Sequence, residues 1–289
     1  VSIADAEARG IEAVRQDRAT YDLPPGDPRA ASLTRAVVFG APDAVLLDLP
    51  QLTEDQPAHR PLVAAHAVPW PGEMAVFRSP STDGFELLTT FGSRARIGTL
   101  VSDLYAGPTS RFDLGNALVV DLLTGTLESV TDLTLFGGTN AMAIESAPGV
   151  WEIVQAGAAE LLAPGRYRLT RLLRGQRGTE GAMGNPVPAG ARVVVLDTAL
   201  ASLPIAEADL GIPWNWRIGP ASRSVSDETY VAQAFTPQGV GLRPFSVAHV
   251  EQPWRRPRTP GDLTIRWTRR SRALAADSWG GLEVPLAEE

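Results

Sequence analysis

The chain has 289 residues, 44% hydrophobic and 20% charged, with a formal net charge of −7; it can bury one large core or two to three small ones, and global disorder is excluded. Cysteine is absent and all 26 basic residues are arginine, which excludes disulfides, thiolate metal sites, cysteine nucleophiles, Walker-type phosphate loops and lysine Schiff bases. No run of about 18 apolar residues offers a membrane-spanning helix, and 27 glycines with 24 prolines scatter turn signals that favour short strands.

Residues 2–18 give the clearest helical pattern, with Ser2 as N-cap, Asp5 three residues on and a thin stripe of Ile3, Ile11 and Val14. The prolines of Leu23–Pro28 end it, so residues 1–35 read as a helix and a stiff connector. The chain opens on Val1 with no initiator methionine and no signal-peptide pattern, as a fragment or processed product would.

From residue 36 the text turns to strands. Short apolar runs at 36–39, 44–47, 62–68, 73–77, 85–90 and 97–100 predict a first β subdomain over 36–112. Runs at 117–123, 126–130, 132–136, 141–145 and 150–156 predict a second over 113–198. Turn signals every 8–12 residues or so point to an antiparallel barrel or sandwich, and no βαβ rhythm appears.

The second subdomain contains the most distinctive stretch, Pro164–Asp197. Tyr167 and Leu169 alternate with Arg166, Arg168 and Thr170, so the chain there is a strand with a cationic face. The alternation breaks at Arg171–Leu173, as at a bulge or strand end. Gly175, Gly178 and Gly181 then open a long loop, and Val193–Leu196 form a buried strand, the whole reading as a β-hairpin with a glycine loop. The glycine spacing is not the dinucleotide fingerprint and no helix follows it. Residues 199–242 read as a connecting segment in which Trp214-Asn215-Trp216 resembles a strand presenting one aromatic inward and one to a neighbour. Residues 243–289 open like a fibronectin type III module, with Leu263, Ile265 and a core Trp267 on one face.

Candidate chemistry is sparse. His59, His66 and His249 match no metalloprotease spacing and no Gly-x-Ser-x-Gly elbow accompanies them. Among 33 acids no pair is marked out for glycoside hydrolysis. Residues 1–163 hold 10 arginines against 21 acids, a balance of −11, and residues 164–289 hold 16 against 12, a balance of +4. That excludes a uniformly basic nucleic-acid surface but leaves a local basic face possible around the arginines of 166–177 and 255–272.

The run LLRGQRGTEGAMGNPVPAGARVVVLD, preceded by APGRYRLT and followed in order by LGIPWNWRIGP, GVGLRP, GDLTIRWTRRSR and Asp277-Ser278-Trp279, resembles the tail-tip hub proteins of long-tailed phages. It is similar in particular to the large host-specificity ("megatron") protein of alphaproteobacterial gene transfer agents. The resemblance is strongest over about residues 110–289. It implies an all-β structural protein of the virion tail tip, assembled in the bacterial cytoplasm and carried on the extracellular particle. It implies a homotrimeric hub ring that meets the distal tail protein and the tape-measure protein, carries tail fibres or receptor-binding proteins, and lets DNA pass through its lumen. A cell-surface glycan is a further possible partner. No cofactor, metal or catalytic residue is implied. The residues expected to serve structure or interfaces are Arg171, Arg174, Gly175, Arg177, Gly178, Glu180, Trp214, Trp216 and Trp267, with the arginines directed at neighbouring protein. The alternatives are a carbohydrate- or receptor-binding module using Trp214, Trp216 and Trp254 as platforms, and a cell-wall glycosidase fragment.

Overall fold

The computed structural model describes residues 38–53, 55–247 and 265–267. In chain order these form β1 (Asp43–Leu47), β2 (Leu62–His66), β3 (Met74–Ser79), β4 (Glu86–Phe91), β5 (Ile97–Leu100), β6 (Leu118–Leu122), α1 (Asp132–Phe136), β7 (Ala141–Ala147), β8 (Val150–Ala163), β9 (Arg166–Gln176), β10 (Arg192–Val195), β11 (Ala201–Ser202), β12 (Trp214–Pro220) and β13 (Val231–Phe235). The fold is all-β and its strand pairs are antiparallel, as the turn spacing predicts.

β1 and β2 read DAVLL and LVAAH, nearly without polar residues, and both are covered on their two faces. With β11 they make a three-stranded sheet that forms the middle layer of the molecule. Ala44, Leu46, Val63 and Ala65 pack on Met74, Val76, Trp216 and Ile218 of a second sheet, ordered β13-β12-β3-β4. Val45, Leu47, Leu62 and Ala64 pack the other way, on Ile97, Ala143 and Val194. Those three belong to a closed six-stranded barrel, ordered β10-β5-β6-β9-β8-β7.

The barrel is solid. Leu118, Val120, Met142, Ile144, Val154, Tyr167, Leu169, Val193 and Val195 fill it, and each large apolar side chain buried there contributes about 1.5–3 kcal/mol. β10 explains itself in these terms: Val193 and Val195 point into the barrel and Val194 points out against the middle sheet, so all three are buried.

Several sequence expectations need correction. Pro164–Asp197 is not a hairpin: β9 pairs with β8 and β6, whereas β10 pairs with β5 and β7. The connection of residues 177–191 crosses the end of the barrel, and its length is far beyond a hairpin turn. β9 does not end at Arg171. Arg171 takes φ of 55° while the register with β8 continues, and the extra residue falls later, between Leu173 and Gln176. Residues 132–136 form α1 rather than a strand, because the Thr131 side chain caps the helix by accepting from the Thr134 N–H and only Leu135 is buried. A five-residue apolar run cannot by itself distinguish the two. Residues 126–130 carry no strand, though Leu127 reaches the barrel core.

The divisions at 112/113 and 198/199 cut through layers. β5 belongs to the barrel, β11 joins β2, and β12 sits between β3 and β13. Antiparallel pairing joins distant segments, and composition does not show which. The helix expected over 2–18 and most of residues 243–289 lie outside the described residues. Ile265 and Trp267 are described, in no strand, and Trp267 is 54% exposed rather than in a core. A Leu-x-Ile-x-Trp alternation defines a face but not what covers it.

Candidate functional site

Glu152 stands alone among apolar residues in VWEIVQAG, and Arg174 ends the apolar run RLLR. Glu152 shares its strand face with Val154 and Ala156, and Arg174 lies two residues past Leu172, so both project into the barrel interior. There they meet. Arg174 Nε donates to Glu152 Oε1 at 2.8 Å and Nη2 to Oε2 at 2.9 Å, a two-pronged pair with both side chains fully buried. Nη1 donates to the Tyr105 carbonyl at 2.8 Å and to Asp113 Oδ2 at 3.2 Å. The Gly175 N–H adds a donor to Glu152 Oε1 at 3.1 Å.

Asp113 completes the cluster. Burial pushes its pKa up, but the Asn116 side chain and N–H, the Gly115 N–H and Arg174 outweigh that and hold it below the ordinary carboxylate value. Burial likewise opposes the Arg174 charge, and Glu152 followed by Asp113 overcomes it, leaving the guanidinium more basic than usual. Gly107 is required by the close approach of these groups: a Cβ there would lie 2.1 Å from Asp113 Oδ2 and 3.0 Å from Arg174 Nη1. Two backbone bridges, Asp113 with Leu172 and Leu104 with Val187, tie this end of the barrel shut.

The remaining arginines of the stretch also bind within the chain. Arg166 pairs with Asp121, Arg168 with Glu160 and Arg171 with Asp132. Arg171 also lies over the Phe112 ring at 4.8 Å. Each of Arg166, Arg168, Arg171 and Arg174 thus has an acid of the same chain beside it, set there by strand pairing for 166 and 168, by α1 for 171 and by the barrel interior for 174. Arg177 is different: it is exposed and has no carboxylate partner among the described residues.

The glycine loop is held to β8 by Thr179, whose Oγ1 accepts from the Ile153 N–H at 2.9 Å and donates to the Gln176 carbonyl at 2.7 Å. Gly178 has φ of 81°, and a Cβ on it would meet the Phe245 ring at 2.6 Å. Glu180 lies against Gly175, its Cα 2.8 Å from where a Gly175 Cβ would be. The loop forms one wall of a cleft of about 1130 Å³ that also touches β1, β13 and the turn between β7 and β8.

Trp216 is fully buried with Nε1 donating to the Phe235 carbonyl at 3.0 Å, so it is no sugar platform. Trp214 is half-buried beneath Arg78, at 4.4 Å. Trp254 and His249 lie outside the described residues. His59 Nε2 sits 3.1 Å from the Ile205 carbonyl. His66 is buried in β2, where burial first and then the Arg94 charge lower its pKa. The two histidines are not brought together, and the described residues hold no His, Asp and Glu group able to bind a metal. The two carboxylates gathered inside the barrel are both engaged by Arg174.

Sequence reasoning singled out Arg174 but missed Glu152, Asp113 and Gly107. The signal was available for the first: an acid set in the apolar first half of β8 needs a buried cationic partner.

The barrel interior thus holds one guanidinium shared between two carboxylates. Residues 95–194 match the family model described as "Rcc01698-like, C-terminal", and the barrel strands run from Ile97 to Val195. The matched region is the barrel itself. No curated protein matches the chain.

Proposed function

We propose that this chain is a structural component of a phage-like tail tip, contributing to the hub that closes the tail tube and carries receptor-binding or fibre modules during DNA delivery. The observation that supports this most is the coincidence of the family match, residues 95–194, with the closed barrel. The ordered motifs LLRGQRGTE, LGIPWNWRIGP and GDLTIRW, which resemble gene transfer agent and siphophage hub proteins, support it independently. The interior of the barrel is packed, so a DNA lumen in this reading lies between copies of the chain rather than within one. Partners are then a homotrimer of this chain, the distal tail protein and the tape-measure protein, with acids of residues 1–163 facing the lumen and repelling DNA.

The test is an in-frame deletion of residues 95–194 in the producing strain, followed by electron microscopy of the particles. The reading expects tails that are absent or lack a closed tip. Normally capped particles that deliver DNA would overturn it.

A further inference from the structure

The cleft beside the glycine loop has unmet chemistry of one sign. Its two walls of interest are the loop, with Arg177, and the segment after β13, with Arg243; both arginines are exposed and neither has an ion-pair partner among the described residues. The carboxylates that line the cleft are already engaged. Asp48 accepts from the N–H groups of Gln238 and Val240 through its two oxygens, at 2.5 and 3.0 Å. Glu145 Oε1 accepts from the Gly149 N–H at 3.0 Å. Two more donors in the wall, Trp151 Nε1 and Gln233 Nε2, are buried with no acceptor. Gln233 is only half-buried as a residue, and a rotation of its side chain turns the amide into the cleft. The side-chain groups of this cleft left over on these grounds are donors or cations.

The backbone points the same way. β13 is the outermost strand of its sheet and pairs only with β12. Its sequence, VAQAF, has no charge and no proline, the devices by which edge strands are usually guarded. Gln233, Ala234 and Phe235 of this strand line the cleft. An open edge strand pairs with an extended segment through main-chain hydrogen bonds, while alternate side chains of that segment select its identity.

We infer that the cleft receives an extended acidic segment of a partner protein, added as a strand along β13 with its acidic side chains on Arg177 and Arg243. Residues alternating with the acids meet the apolar wall of Val150 and Phe235. The inference concerns one chain and one peptide and stands apart from the tail-tip reading, because it needs no particle.

The experiment measures fluorescence anisotropy of a labelled ten-residue peptide alternating Glu and Val against the purified chain. Saturable binding is expected, with none for a peptide alternating Arg and Val. Arg177→Gln with Arg243→Gln weakens binding about tenfold, the sum of two exposed ion pairs, with an unchanged unfolding midpoint. Methylating alternate backbone nitrogens of the acidic peptide, which removes its strand donors but not its charge, weakens binding by a similar factor. Added salt weakens binding of the unmodified peptide without any variant being needed. The inference is overturned if the acidic peptide does not saturate, if the arginine peptide binds equally, or if the double variant or the methylated peptide binds like the originals.

Discussion

Replacing Arg174 by alanine asks whether the central stretch builds the fold or serves a neighbour. The substitution leaves Glu152 buried with only the Gly175 N–H as a described donor, and leaves Asp113 with Asn116 and Gly115 alone. Breaking a buried ion pair from one side costs about 3–5 kcal/mol, against a total stability on the order of 5–15 kcal/mol. Urea unfolding of the purified chain, followed by tryptophan fluorescence, should show that loss directly. The paired change Arg174→Met with Glu152→Leu should recover part of it, since Glu152 is then no longer stranded, although Asp113 still lacks its guanidinium. Recovery stays partial because the Gly175 N–H and the Tyr105 carbonyl lose partners, each worth about 1–3 kcal/mol when buried. A loss below about 1 kcal/mol for Arg174→Ala would refute the buried-cluster account and return Arg174 to an interface role.

Gly178→Val places a branched side chain at a φ of 81° and against the Phe245 ring, and should cost about 1–3 kcal/mol in thermal unfolding and impair tip assembly; infective, normally assembled particles would contradict the second part. The lowered pKa of Asp113 stabilises the fold fully above the ordinary carboxylate value, and that contribution is lost as pH falls through its folded value. Unfolding midpoints should therefore drop below about pH 4, and Asp113→Asn should flatten that drop. Trp216→Ala, which empties the core between the middle sheet and its neighbour, should cost about 3–5 kcal/mol, whereas Trp214→Ala should cost clearly less because Trp214 is only half-buried.

Strand positions were legible because alternation and turn residues act locally: β1, β5, β6 and the first half of β9 fall where the apolar runs lie. Pairing was not legible, since one partner of β10 is β5, more than ninety residues earlier, and no local feature of Val193–Val195 encodes that. The same limit hid the arginine partners. Arg166 reads as surface charge until β6 sets Asp121 beside it, and Arg174 reads the same until β8 supplies Glu152. Glycine requirements were legible in kind, because φ of 57° at Gly175 and 81° at Gly178 is what a glycine loop suggests. Gly107 was not, as its need comes from the Asp113 carboxylate that packs against it together with Arg174 from β9.

The central claim is tested most directly by cryo-electron microscopy of purified particles from the producing strain, with the chain located by a fused tag. The account predicts three copies around the tail axis at the distal end, each barrel solid and the lumen between them. Density for the tag elsewhere on the particle, or its absence from the particle, would contradict it.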